Sequence, residues 1–232
     1  KDKVLFGCFS VLKNNWGFFM ESRTRYITTV GMFCAIAFAM VTVGRIPVVQ
    51  FLSYDPKDIA IVIAGFILGP VAAIVISFVV SLIEMMTISD TGFIGFVMNF
   101  FSSAVFAGSA SIIYHKNKSL KSAVLGLLVG WIGMTVIMLL WNYIITPFYM
   151  QVPREVIEGM LLTVFLPFNL IKGGLNFAIT LILYKPVVGA LRKANLVPGN
   201  TAKVSVNKSI LALAFLILIS GLLLILIFQG II

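Results

Sequence analysis

Asn169, Lys172 and Asn176 stand three and four positions apart in an otherwise apolar run, 159–186. At about 100° per residue they share one helix face. One ammonium group and two primary amides supply hydrogen-bond donors and acceptors, but no nucleophile paired with a base. That chemistry is recognition. A lysine near the middle of a spanning helix costs about 2.5–3.5 kcal/mol on insertion scales, so it needs a partner or a cavity. Pro167, just before the trio, removes a backbone N–H and can kink the helix, making room for a ligand. The competing readings are a structural ion pair between Lys172 and Glu84, or snorkelling of Lys172, which its central depth makes difficult. Gly95 and Asn99 sit four apart in 93–114, and Asn142 lies in 122–149. Three helices thus each bring an amide toward a shared pocket, although helix–helix packing accounts equally well for Gly95 and Asn99.

The elements that must hold these residues are set by composition. Of 232 residues, 60% are hydrophobic and 11% charged, and mean hydropathy is +1.10. Soluble domains carry about 25% charged residues. A disordered chain, a disulfide scaffold and an ordinary cytosolic enzyme are excluded, and the bilayer is the expected solvent. Cys8 and Cys34 imply no disulfide or thiolate metal site, and a single histidine, His115, builds no metal cluster. No P-loop, H-E-x-x-H or G-x-S-x-G motif is present. Catalytic residues, metal and cofactor are therefore not expected, and neither is an enzyme. The net charge of +9 is distributed as for membrane orientation, not for nucleic acid.

Apolar segments fall at 27–44, 58–69, 70–87, 93–114, 122–149, 159–186 and 209–232. One helix over 58–87 would be about 45 Å long, against a hydrocarbon core of about 30 Å. Gly69-Pro70 breaks it into two helices with a tight turn, the first too short to span fully. With that break, most of the 17 basic residues fall on one side, including Arg23, Arg25, Lys116, Lys118, Lys121 and Arg192. Arg45, Lys57 and Arg154 fall on the other. The positive-inside rule then places the N-terminus in the cytoplasm, in a multi-pass protein of the cell membrane. Asp55, Asp58, Asp90, Glu155 and Glu158 gather in or beside the outer loops with Tyr54, so the outer face carries the polar site.

Residues 1–25 mix aromatics with lysines and read as a cytoplasmic or interfacial segment, not a span. Residues 26–195 form a six-helix membrane domain, 196–208 a polar linker, and 209–232 an additional, featureless helix ending outside. Ala35 and Ala39 make a small-xxx-small face on the first spanning helix, fit for close approach of another helix.

The segment Pro167–Gly173 (PFNLIKG) resembles a signature of the riboflavin-binding S components of energy-coupling factor (ECF) transporters, the RibU type. SYDPKDIAIVIAGFILGP (Ser53–Pro70) and GFVMNFFSS (Gly95–Ser103) resemble that family's outer loop with second helix, and its fourth helix. The resemblance covers about residues 25–195. It implies an all-α integral membrane fold with a six-helix S-component core, to which 209–232 adds a helix. It implies riboflavin as transported ligand, held by Asn169 and Lys172 at the ring edge, with Asn99, Gly95 and Asn142 serving ring or tail. Tyr54, Asp55 and Asp58 would close over the site and bond ribityl hydroxyls. It further implies docking through Ala35 and Ala39 on a transmembrane coupling subunit driven by two separate ATPase subunits. The alternatives are an S component for another vitamin, a non-transport membrane subunit, or a membrane enzyme.

Overall fold

The computed structural model describes the backbone of residues 2–49, 52–89, 91–193 and 208–228. In hydrocarbon every backbone N–H and C=O must be satisfied internally, so the apolar runs fold as helices. They are α1 (Asp2–Gly44), α2 (Lys57–Leu68), α3 (Pro70–Thr87), α4 (Gly92–Asn117), α5 (Leu120–Met150), α6 (Arg154–Met160), α7 (Leu166–Lys193) and α8 (Lys208–Phe228). A π-helical stretch, Leu161–Phe165, joins α6 to α7. Among the described residues, five segments are long and apolar enough to cross a membrane: Arg23–Gly44, Pro70–Thr87, Gly92–Asn117, Leu120–Met150 and Arg154–Tyr184. The helix expected over 159–186 is thus the end of a longer span that starts in α6.

α2 is the sixth element of the bundle and does not span. Its 12 residues reach about 18 Å. It is buried from Lys57 through Phe66 and packs against α1, α3, α4 and α7. The turn that ends it is built from two residue types. Gly69 adopts φ +107°, where a Cβ would be strained, and its N–H closes α2 on the Gly65 carbonyl at 2.9 Å. Pro70 then occupies the first turn of α3, where its missing N–H costs nothing.

α4 and α5 form the most extensive pair. Lys118 ends α4 in the left-handed region, and the Ser119 hydroxyl caps α5 by accepting from the Ser122 N–H at 3.2 Å. Along the seam, a Cβ on Gly126 would sit 2.6 Å from the Ala110 carbonyl oxygen, and one on Gly130 would sit 2.5 Å from that of Phe106. This Gly-x-x-x-Gly pair lets two backbones touch.

The connection between α1 and α2 is a hairpin, not the plain loop expected from the sequence. β1 (Ile46–Val49) pairs antiparallel with β2 (Leu52–Tyr54), with Ile46 opposite Tyr54 and an irregularity between Pro47 and Val49. The all-α class stands with this small addition.

α8 is not featureless. It packs on α7 and touches β1. Ala214 and Ile225 are buried, and Gly221 lies against Leu175. At the other end of the chain, the backbone is helical continuously from Asp2 into the first span. The side chains of residues 1–22, on which the interfacial reading rests, lie outside the described residues, as do linker residues 196–207 and Asp90.

Candidate binding cleft

The polar residues at the hairpin end of the bundle sort into two buried clusters. The first is centred on Lys57. Expected from the sequence to face outward, this lysine is completely buried at the start of α2. Its Nζ donates to both carboxylate oxygens of Glu84 on α3, at 2.7 and 2.6 Å. Asn99 of α4 donates to the same carboxylate at 3.1 Å. Glu84 is therefore taken, and the ion pair entertained between Glu84 and Lys172 does not form.

Asp58, one turn position further, is also fully buried. Ser103 of α4 donates to its Oδ1, and Asn176 of α7 donates to its Oδ2 at 3.0 Å. The Tyr54 hydroxyl donates to Asn176 Oδ1 at 3.0 Å, tying the hairpin to α7. Burial, reinforced by the nearby carboxylates of Asp58 and Asp55, pushes the Tyr54 phenol above its ordinary range, so it stays protonated as this donor. These bonds consume the polar atoms of Asp58 and Tyr54. Neither lines the cleft described next, so the loop residues expected to bond a polyol tail reduce to Asp55.

The second cluster surrounds a cleft between the hairpin, α4, α5 and α7. Asp55 lies between two cations, 3.7 Å from Arg45 Nε and 3.8 Å from Lys172 Nζ. Both separations exceed hydrogen-bond length. Lys172 is only 6% exposed, so its charge is held by a loose pair. Asn169 and Asn142 line the cleft beside it. Each donates its amide nitrogen to a carbonyl one turn back, Asn169 to Phe165 at 2.8 Å and Asn142 to Met138 at 2.7 Å. Asn142 also accepts from Thr146 at 2.9 Å. Asn169 thus presents its Oδ1 as an acceptor next to the Lys172 donor. Leu52, Met98, Met138 and Phe168 supply apolar walls.

Backbone chemistry places this pair. Pro167 lacks the N–H that would bond the Thr163 carbonyl, and the ladder widens into the π-helical stretch directly before it. The distortion expected at Pro167 is therefore upstream of it, where α7 begins. Directly after Lys172, a Cβ on Gly173 would sit 2.1 Å from the Trp131 ring of α5. That glycine lets α7 lie against Trp131.

Asn99 lines the cleft from α4 while bonded to Glu84. Gly95 does not line it. A Cβ there would meet the Thr91 Oγ1 at 1.7 Å, so the glycine makes room for the Ser89–Thr91 hydroxyl pair at the head of α4. Arg45, Ser53, Thr91 and Ser102 also line the cleft, beyond the residues expected from the sequence. Arg45 was legible as an outward cation; nothing in the spacing marked the hydroxyls. Ala35 and Ala39 are exposed on α1, on the face opposite the buried Phe33, Ala37 and Val41. They do not pack inside the bundle. Among the described residues no group of His, Cys, Asp and Glu is placed to hold a metal.

Comparison with known proteins gives the same outline. Residues 25–184 match the family described as "ECF transporter, substrate-specific component". The chain is 28% identical over 184 residues to the riboflavin transporter RibU of Staphylococcus aureus (strain TCH60), covering 75% of this chain and 95% of the relative. It is 28% identical over 199 residues to RibU of Streptococcus thermophilus, covering 81% and 94%. The riboflavin transporter FmnP of Bacillus subtilis is 26% identical over 190 residues, covering 75% and 99%. A solved structure, described as the S component of a bacterial ECF transporter, superposes with a TM-score of 0.62 at 29% identity, over 73% of this chain and 99% of the other. With a matching family, a matching structure and, among the described residues, five helices long and apolar enough to cross a membrane, the chain belongs to the substrate-specific components of ECF transporters.

Proposed function

We propose that this chain captures riboflavin at the outer face of the cell membrane and delivers it inward as part of an ECF uptake transporter. The observation that carries the reading is the Lys172–Asn169 pair, aimed into the cleft from α7 between apolar walls. The uracil-like edge of the flavin ring presents carbonyls beside an N–H. Lys172 donates to a carbonyl, and the free Oδ1 of Asn169 accepts from the N–H. Leu52, Met98, Met138 and Phe168 hold the ring faces. Asp55 is the resting counter-ion of Lys172, and its separation of 3.8 Å leaves the ammonium ready to turn to a ligand. Three relatives named as riboflavin transporters support the choice of ligand.

The work is binding and release, with riboflavin as cargo and not as cofactor. No covalent step is assigned to any residue. Energy comes from two ATPase subunits through a transmembrane coupling subunit, since the chain has no P-loop. The exposed Ala35 and Ala39 allow that coupling subunit to approach α1 closely. Lys116, Lys118 and Lys121 at the α4–α5 turn face the cytoplasm, as does the N-terminus.

The test is purification of the chain in detergent, followed by absorbance, mass and fluorescence-quenching titration. A yellow preparation that releases riboflavin, or saturable quenching with one equivalent, is expected. A colourless preparation that neither carries nor binds flavin overturns the reading.

A further inference from the structure

α8 lies outside residues 25–184, the part of the chain that matches the family, so that match gives it no role. Its spacing is not that of an idle span. Ala214, Ile217, Gly221 and Ile225 recur at intervals of three and four, which stacks them on one helix face. That face is turned inward, while Leu216 and Leu223 are exposed on the other side. The inward face lies on α7 just beyond Lys172. A Cβ on Gly221 would sit 2.8 Å from Leu175 Cδ2, and one on Gly174 would sit 3.4 Å from Ile217 Cγ2. Near the end of α8, Ile225 is buried in one apolar cluster with Ile171 and Leu175 of α7 and with Val48 and Leu52 of the hairpin. α8 thus joins two walls of the cleft, α7 and the hairpin, and gives no residue to the cleft itself.

Those two walls have to part before a flat ring can enter. Lys172, Asn169 and Asp55 are 6%, 3% and 5% exposed, too little for a ring to reach them. The other walls, α4, α5 and α7, are helices of 26, 31 and 28 residues, each with its own hydrogen-bond ladder. The hairpin has strands of four and three residues, and two strands alone are marginally stable. It is the wall that moves at the lowest cost. Two ties oppose that movement, the Tyr54–Asn176 hydrogen bond and the packing of Ile225. We propose that α8 is a strap holding the hairpin to α7, with Ile225 as its positioning residue, and that it sets how fast the ligand enters and leaves the cleft. The proposal takes its ligand from the riboflavin reading above. The sign of the effect follows from where the contacts lie. They involve no cleft atom, so losing them eases opening of the empty and the filled cleft alike. Association and dissociation both accelerate, and their ratio, the Kd, moves little.

The experiment measures both rates on the purified full chain: association by stopped-flow quenching of riboflavin fluorescence, dissociation by chasing radiolabelled riboflavin with excess unlabelled riboflavin. Ile225→Ala is expected to raise both rates about tenfold and to keep the Kd within threefold. Gly221→Leu, which wedges α8 away from Leu175, should accelerate both in the same way. Ile225→Val keeps most of the side chain and should stay within twofold of wild type. Leu216→Ala, on the exposed face, should change neither rate. Rates within twofold of wild type in both Ile225→Ala and Gly221→Leu, or a loss of affinity through dissociation alone, overturn the strap while the riboflavin reading stands. A wild-type chain that binds no flavin overturns both.

Discussion

Two buried lysines set apart the two polar clusters of this protein. Lys57 is sealed: its ammonium meets both oxygens of Glu84 within 2.7 Å, and Asn99 adds a third bond to that carboxylate. Lys172 is open: its nearest acid, Asp55, stands 3.8 Å away and is shared with Arg45, which faces the other carboxylate oxygen at 3.7 Å, beyond hydrogen-bond length. Both lysines are almost wholly buried. Burial alone therefore does not mark a binding residue. What separates them is saturation. A saturated buried pair has no bond left to give and holds α2 to α3. An unsaturated one, at the wall of a cleft, gains bonds when a ligand arrives.

The largest effect should come from breaking the sealed pair. Lys57→Met leaves Glu84 as an uncompensated buried charge, a loss of about 3–5 kcal/mol. Little folded protein should survive extraction, measured by thermal unfolding in detergent. Lys57→Met with Glu84→Gln removes the charge, keeps an acceptor for Asn99 and should recover most of the melting temperature. A single mutant as stable as wild type would erase the distinction drawn between the two lysines.

Next comes the open cluster. Asn169→Leu removes the acceptor beside Lys172 and leaves the Phe165 carbonyl to its backbone partners. Riboflavin affinity should fall about tenfold, with the melting temperature nearly unchanged, in a quenching titration.

Ala39→Trp lies outside both clusters. Because Ala39 is exposed, the added ring meets no core atoms. Flavin affinity should stay within twofold, while uptake in cells and co-purification with the coupling subunit are lost. Joint loss of binding and uptake would place α1 in the site instead.

The smallest effect is expected from truncation after Lys208. α8 supplies no residue to the cleft, but Ile225 packs in one cluster with Val48 and Leu52 of the hairpin. Affinity should drop by no more than a few-fold.

Local backbone chemistry was readable from the sequence. Gly69-Pro70 marked the break between α2 and α3 because positive φ and a missing N–H are properties of those residues themselves. Asn169 and Lys172 stood out because polar groups are costly in a spanning helix. What depended on distant pairing was not readable. Nothing near Lys57 predicts that Glu84, 27 residues on, draws it inward, or that Asp58 is consumed by Ser103 and Asn176. The hairpin strands of four and three residues are too short to show an alternating pattern, and Pro47 argues against a strand. Gly126 and Gly130 carry a readable signal as well, a Gly-x-x-x-Gly pair in an apolar helix.

The most direct test of the account is Lys172→Met, measured twice on the same preparation. The change keeps chain length and removes charge and donors. If Lys172 is held for the ligand, riboflavin affinity falls by about tenfold to a hundredfold, corresponding to about 1.5–3 kcal/mol for a bond to a charged group, while the melting temperature of the flavin-free protein stays close to wild type. Unchanged affinity, or a collapse in stability like that expected of Lys57→Met, would contradict it and make Lys172 a second structural lysine.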